Sequence, residues 1–249
     1  MRKRSSVLSS KNLSEETLIE IEDLGRRGDG VVRINGQALH VPLTLPGDQL
    51  KLRYDLKTLR PAEFSLIKPS ALRVHAPCPH FSACGGCQLQ HFAELPYRQW
   101  KRRLVIDAVM RAGGNPSVVT DIVSVPTTSR RRAVLTAKKY GEHLRVGFYR
   151  RHEHVIEDMT QCLILAPPLA NLLPALRASL SSEIDLPEMR ITATATERGV
   201  DLIIDAERPL DLRLREKFAQ FAHDEDLARI SWQQNLRCPS PSPYAVPQL

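Results

Sequence analysis

The feature that most limits how this chain can fold is a group of closely spaced cysteines. Cys78, Cys84 and Cys87 lie within residues 75–92, a segment rich in Cys, Pro and Gly that follows neither helical nor strand periodicity. A segment of this kind is typical of a loop organised around a metal. Cys162, 75 residues beyond Cys87, can complete a set of four thiolates by tertiary approach. The spacing therefore predicts a four-cysteine metal site.

The spacing leaves three alternatives open, because four thiolates suit both structural zinc and an iron-sulfur cluster, and the cysteines could also be free or unrelated to one another. Gly85 and Gly86 allow a tight turn between two ligands and can direct N–H groups toward sulfur. Five unevenly spaced cysteines, with no hydrophobic leader at the N-terminus, favour a reducing compartment over a secreted disulfide framework. We therefore expect a cytoplasmic protein. No apolar run approaches the roughly 20 residues that span a bilayer, so no membrane partner is expected.

The residues before the cysteine segment have the pattern of a small all-β domain. Five short alternating or β-branched runs occupy 17–24, 30–34, 37–43, 49–56 and 63–69. Asn35-Gly36 separates the second run from the third, and this pair is a strong hairpin signal because both residues tolerate positive φ. The pattern predicts a five-stranded, OB-like barrel.

The remainder of the chain mixes helices with strands. Residues 96–112 predict an amphipathic helix with a basic face, and further helices are expected at 167–180 and before residue 230. Strands are expected at 121–126, 131–140, 144–150, 154–159, 189–196 and 200–205. The predicted fold class is α+β. Its expected parts are a basic flexible tail (1–16), the barrel (17–73), an α+β domain with the cysteine site (74–232) and an irregular Pro/Ser tail (233–249).

Charge favours an anionic partner. The formal net charge is +7, and Lys and Arg that neutralise phosphates release counterions on binding nucleic acid. The candidate residues for binding nucleic acid cluster in the barrel and in one later strand region: Arg26, Arg33, Arg130, Arg131, Arg132, Lys138 and Lys139. The alternative interpretation is a set of solvated strand ends. Aromatic residues make up only 5% of the chain, which argues against a broad platform for base stacking.

Several of these segments together resemble a known family. Residues 78–91 (CPHFSACGGCQLQH), 28–33 (GDGVVR), 41–48 (VPLTLPGD), 130–133 (RRRA) and 146–149 (VGFY), with HVI at 154–156 leading to Cys162, are similar to the bacterial RNA uridine-5 methyltransferases. The resemblance covers approximately residues 17–232. It implies that the barrel is a TRAM domain that binds RNA. It also implies a 4Fe-4S cluster held by Cys78, Cys84, Cys87 and Cys162.

The resemblance also indicates what this chain is expected to lack. Family members continue with a Rossmann-like domain that binds S-adenosylmethionine and supplies a cysteine nucleophile and a carboxylate base. The remaining cysteine, Cys238, has no glycine-rich turn near it and is interpreted as an incidental thiol. We therefore predict no catalytic residue and no S-adenosylmethionine-binding residue in this chain.

Two functions remain open at this point. The first is the RNA-binding, cluster-containing portion of an RNA (uracil-5-)-methyltransferase that acts on ribosomal or transfer RNA, truncated before its catalytic domain and possibly completed by a separate catalytic chain. The second is a non-catalytic RNA-binding module with a structural zinc or iron-sulfur site.

Overall fold

The computed structural model describes residues 12–181 and 188–234, which form two compact units. The first unit contains the described residues up to Ser82 together with Cys87–Ser124. The second contains Ala83–Gly86 and the described residues from Val125 onward. The predicted tails lie largely outside the described residues, and the domain boundaries drawn from sequence stay predictions.

The first unit consists of six strands, one helix and a short 3₁₀ turn at Pro116–Val118. Its elements are β1 (Thr17–Glu20), β2 (Asp23–Leu24), β3 (Gly30–Ile34), β4 (Gln37–Val41), β5 (Gln49–Tyr54), β6 (Pro61–Lys68) and α1 (Glu94–Arg111). All strand pairs are antiparallel, in two three-stranded sheets with orders β1-β5-β6 and β2-β3-β4. Asn35 and Gly36 have φ of 49° and 80°, which confirms the predicted hairpin turn between β3 and β4.

The observed strand pairing corrects the prediction of a five-stranded barrel. The run at 17–24 forms two strands rather than one, and within the described residues the six strands pair as two open sheets. The chain changes sheets at Ile21 and Glu22: the Ile21 N–H donates to the Asp48 carbonyl and the Glu22 N–H to the Val31 carbonyl, both at 2.9 Å. These hydrogen bonds let one continuous segment serve both sheets. Their inner faces share one core, formed by Ile19, Ile21, Val32, Leu39, Val41, Leu50 and Leu52.

Helix α1 is anchored through one aromatic side chain. Trp100 is the buried residue of the helix, and its Nε1–H lies 3.4 Å from the Leu24 carbonyl. It packs in a cluster with Leu24, Leu45 and Phe92. Val105, an apolar residue within the predicted amphipathic helix, is 52% exposed. The buried stripe is therefore narrower than the sequence predicted.

The second unit is a five-stranded sheet with two helices and a 3₁₀ turn at Thr127–Ser129. Its elements are β7 (Arg132–Tyr140), β8 (His143–Gly147), α2 (Pro167–Ser181), β9 (Met189–Thr196), β10 (Gly199–Ala206), α3 (Leu212–Asp224) and β11 (Arg229–Gln234). The strand order is β11-β10-β9-β7-β8, antiparallel except for the parallel pair β10–β11, which α3 connects.

The core of the second unit lies between the sheet and its helices. Alternate residues of β7, β9 and β10 pack with leucines of α2 and with the apolar residues of α3, Leu214, Phe218 and Phe221. Residues directly opposite one another in a sheet share a face. Arg132, Thr194, Asp201 and Arg229 are paired in succession across four strands and form a polar row on the other face.

Two segments of this unit were predicted as strands and are not strands. Residues 121–126 have no regular structure before the turn at 127, and in 154–159 a single bridge joins Ile156 to Tyr149. The mixed α+β class is confirmed. Among the described residues, no helix combines the length and apolar character needed to span a bilayer.

Candidate functional site

The loop around Cys84 is attached to the end of the sheet in the second unit. The Gly85 N–H donates to the Tyr149 carbonyl at 2.9 Å, and the Arg151 N–H donates to the Ala83 carbonyl at 2.8 Å. A Cβ on Gly85 would lie 2.9 Å from the Tyr149 oxygen, closer than carbon atoms approach such a group. Glycine at position 85 therefore permits the close contact that holds Cys84 in its buried position.

One backbone N–H in this loop points at a cysteine sulfur. The Gly86 nitrogen lies 3.4 Å from Cys84 Sγ, and such N–H groups stabilise negative charge on a metal-bound thiolate. A Cβ on Gly86 would lie 3.4 Å from the same sulfur and 3.2 Å from the Phe148 ring. The two glycines thus have distinct roles, one in docking the loop and one in directing an N–H toward sulfur.

The other predicted ligands are divided between the units. Cys78 and Cys87 are half-buried in the first unit, where the Cys78 N–H donates to Gln90 Oε1 at 3.3 Å. Cys162 is half-buried against the core of the second unit. All four are thiols rather than disulfides. Residues 12–181 and 188–234 contain no group of three or more His, Cys, Asp or Glu residues arranged to hold a metal ion. The four-ligand site stays a prediction, and Cys238 lies outside the described residues.

In the first unit, Arg26 lies in a cleft of about 390 Å³. His40 and Arg111 also line this cleft and were not candidates from sequence. Arg103 lies there too, but Asp23 accepts two hydrogen bonds from its guanidinium, at 2.9 and 3.0 Å. Arg33 is exposed on β3 and does not line this cleft. Arg111 comes from the last turn of α1, so no local signal around Arg26 could have identified it.

In the second unit, two of the three consecutive arginines line the same surface cavity. Arg131 and Arg132 line an open cavity of about 530 Å³ together with residues 194–198. The backbone of Arg130 is held by the segment before α2: its N–H donates to the Ile164 carbonyl at 3.0 Å, and its carbonyl accepts from the Ala166 N–H at 2.9 Å. Arg130 itself is exposed and is not among the lining residues.

The lysine pair of β7 has a different environment from the arginines. Lys138 Nζ lies 2.7 Å from Glu188 Oε2, and the Tyr149 hydroxyl donates to Glu188 Oε1 at 2.5 Å. The hydrogen bond to Glu188 raises the pKa of Lys138. Burial, followed by the Glu188 carboxylate, raises the pKa of Tyr149 to about 12. The charge of Lys138 is thus compensated within the protein, which weakens its case as a phosphate ligand. Lys139 is half-buried on the same strand.

These features define a mixed α+β protein that presents arginine-lined clefts in both units. Comparison with known proteins gives its family. No protein-family model matches the chain. It is 34% identical over 220 residues to an uncharacterized RNA methyltransferase of Brucella melitensis, covering 88% of this chain and 52% of that protein. It is 33% identical over 218 residues to the 23S rRNA (uracil(1939)-C(5))-methyltransferase RlmD of Acidithiobacillus ferrooxidans, covering 83% and 49%.

A solved structure has the same fold over most of the chain. The crystal structure of Pyrococcus abyssi tRNA (uracil-54, C5)-methyltransferase in complex with S-adenosyl-L-homocysteine matches with a TM-score of 0.61 at 20% identity, covering 89% of this chain and 52% of that one. By sequence, the chain is a relative of the RNA methyltransferase family, and it spans about half the length of the curated relatives that it matches.

Proposed function

We propose that this chain is the RNA-binding portion of an RNA (uracil-5-)-methyltransferase whose substrate is ribosomal or transfer RNA. The observation that carries the proposal is the open cavity that both Arg131 and Arg132 line. Guanidinium groups hold phosphate oxygens through two parallel hydrogen bonds, so this surface suits an RNA backbone. A relative by sequence is a ribosomal RNA methyltransferase and a protein of similar fold is a transfer RNA methyltransferase, and both support the same substrate class.

In this proposal, methyl transfer requires a catalytic part in addition to the described residues. S-adenosylmethionine supplies the methyl group, and we assign no residue of the described chain to bind it. The catalytic half corresponds to the part of the relatives that this chain does not match, whether it is carried by the same polypeptide or by a separate one. In this proposal the described residues position the RNA. Their arginines bind its phosphate backbone, and this contact orients the target base for a catalytic centre elsewhere.

We further propose that Cys78, Cys84, Cys87 and Cys162 hold a 4Fe-4S cluster. Four thiols are a donor set that suits such a cluster, and the Gly86 N–H directed at Cys84 Sγ is the kind of contact that stabilises its charge. Thiolate ligands also require a reducing compartment, so the cytoplasm is the proposed location.

RNA binding is tested with the purified chain and fluorescently labelled stem-loops from ribosomal and transfer RNA. The double substitution Arg131→Ala/Arg132→Ala is expected to weaken binding at least about tenfold, since each lost charge-assisted contact has that order of effect. Arg215→Ala, which removes one exposed arginine from α3, is the control and should bind like the wild type. Equal affinity for all three proteins would contradict the proposed role of the cavity.

The cluster is tested by anaerobic purification, iron and sulfide analysis and an absorption spectrum. Cys84→Ser or Cys162→Ser should lower the iron content severely, whereas Cys238→Ser should leave it unchanged. A colourless protein that holds one zinc would refute the iron-sulfur assignment. The alternative function, an RNA-binding module with a structural zinc site, would then be favoured.

Incubation with RNA and labelled S-adenosylmethionine tests the division of roles. No methyl transfer is expected from residues 1–249 alone. Methylated uridine in this assay would refute the proposal that catalysis requires a further part of the protein.

A further inference from the structure

The turn between β9 and β10 brings a third arginine to the cavity of Arg131 and Arg132. Arg198 lines this cavity of about 530 Å³, although it is 66 residues beyond Arg132. We propose that the three guanidinium groups form a defined site for one phosphodiester group of RNA, and that Arg198 completes it. This inference rests on the proposed function and extends it to a residue that sequence patterning did not identify.

The turn that carries Arg198 is internally fixed. Thr196 Oγ1 donates to the Gly199 carbonyl at 2.7 Å and accepts from the Arg198 N–H at 3.2 Å. Gly199 has φ of +113°, and a Cβ there would lie 2.8 Å from the Asp226 carbonyl oxygen. The backbone of the turn is therefore held against the segment that precedes β11. A side chain carried on a fixed backbone loses less entropy on binding than one on a mobile loop.

The two other arginines are also positioned by the sheet. Arg131 Nε lies 3.3 Å from the Ala195 carbonyl, a contact that leaves its terminal amino groups available for a ligand. Arg132 lies directly opposite Thr194, which lines the same cavity. The Ala195 N–H donates to the Arg131 carbonyl at 2.8 Å. The sheet thus fixes where both side chains leave the backbone.

Charge distinguishes this cavity from the rest of the sheet. Its lining residues include three arginines but only one carboxylate, that of Glu197. Within residues 12–181 and 188–234, none of these three arginines forms an ion pair. Two other arginines of the same unit are each paired with a carboxylate: Arg229 lies 2.5 Å from Asp201, and Arg208 lies 2.6 Å from Asp211. With three arginines and one glutamate among its lining residues, the cavity carries an excess of positive charge that attracts an anion.

The lining residues indicate which part of the RNA binds. The residues that line the cavity include three arginines and two threonines but no aromatic residue on which a base could stack. Phosphate contacts of this kind fix the register of an RNA and read no sequence. Loss of Arg198 is therefore expected to weaken the binding of different RNAs by the same factor.

The test measures the affinity of the full chain for two RNA stem-loops of different sequence across a series of salt concentrations. Arg198→Ala is expected to lower the affinity about tenfold at about 0.1 M salt, equally for both RNAs. It should also reduce the slope of log K against log salt by about 0.7 to 0.9, the value for one lost phosphate contact. Arg198→Lys should keep the slope and still bind several-fold more weakly, because a lysine lacks the guanidinium fork.

Arg215→Ala is the matched control, because it removes the same charge from an exposed position on α3. Circular dichroism and the melting temperature establish that each variant is folded. If the wild type binds RNA but Arg198→Ala matches the control in affinity and slope, the inference is refuted and the proposed function stands. If the wild type binds neither RNA, both proposals fall.

Discussion

A buried carboxylate in the first unit makes the sharpest stability prediction. The side chain of Asp48 is 0% exposed, in the turn before β5. It accepts hydrogen bonds from the Leu45 N–H at 2.7 Å, the Ser70 N–H at 2.8 Å and Arg73 Nε at 3.2 Å, and it forms a second, shorter contact with the Arg73 guanidinium. Asp48 therefore joins the β4–β5 turn to the segment that follows β6.

Asp48→Asn tests this network at nearly constant volume. The substitution leaves Arg73, whose side chain is only 21% exposed, without its negative partner. Removing one member of a buried ion pair costs about 3 kcal/mol, because the remaining charge is desolvated and uncompensated. With a urea m-value of about 2 kcal/mol/M, the unfolding midpoint should fall by about 1.5 M.

The assay is urea unfolding followed by the fluorescence of Trp100, whose cluster contains Leu45. A Trp232→Phe background removes the tryptophan of the second unit from the signal. Asp23→Asn is the control: its ion pair with Arg103 is exposed, with side chains 57% and 54% accessible, and should contribute less than about 1 kcal/mol. Equal losses for the two variants would refute the reasoning.

The same network predicts the direction of the acid response. Burial alone would raise the pKa of Asp48, but the hydrogen bonds from Arg73, Ser70 and Leu45 outweigh it and lower the pKa below its usual value. A carboxyl with a lowered pKa in the folded state contributes stability above its unfolded pKa of about 4 and loses it as pH falls through the folded value. Unfolding free energies measured from pH 6 to pH 2 should fall less steeply for Asp48→Asn than for the wild type.

Two further predictions concern the second unit. Because the pKa of Tyr149 is raised to about 12 by burial and by the Glu188 carboxylate, its stabilising effect is present below about pH 10 and is lost as pH rises through the folded value. Tyr149→Phe should cost about 1 kcal/mol at neutral pH and reduce the alkaline loss in a thermal melt; an unchanged alkaline profile would contradict this account. Gly147→Ala should destabilise by about 3 kcal/mol in the same melts, because its Cβ would lie 2.2 Å from the Glu157 carbonyl oxygen. Gly141→Ala is the control: nothing lies within 4 Å of the added Cβ, and only its positive φ, 62°, costs about 1 kcal/mol. Similar losses for the two alanine variants would rule out the steric explanation.

Several features were predictable because they depend on neighbouring residues. The alternation in β3 marked a strand with the bounds that the structure has, and Asn35-Gly36 marked its turn, since positive φ is a local preference. The strands β9 and β10 were recognisable from their periodicity in the same way. The spacing of Cys78, Cys84 and Cys87 is also a local signal, but the ligand set that it indicates stays a prediction.

Other features depended on residues far apart in the chain. Residues 17–24 look like one strand, and only the hydrogen bonds of Ile21 and Glu22 to Asp48 and Val31 divide that run between two sheets. Lys138 is a candidate RNA ligand by sequence, and only the fold brings Glu188, 50 residues later, within 2.7 Å of its Nζ.

The amino-acid sequence by itself determined the α+β class, the main strands and helices, and the arginine triplet at 130–132. Tertiary structure decided which charges are compensated and which remain available, and it added Arg198 to the cavity of Arg131 and Arg132. The physical reason is the separation along the chain over which each kind of interaction acts. Backbone preferences and hydrophobic periodicity act over a few residues, whereas an ion pair or a shared cavity exists only where packing brings separate elements together.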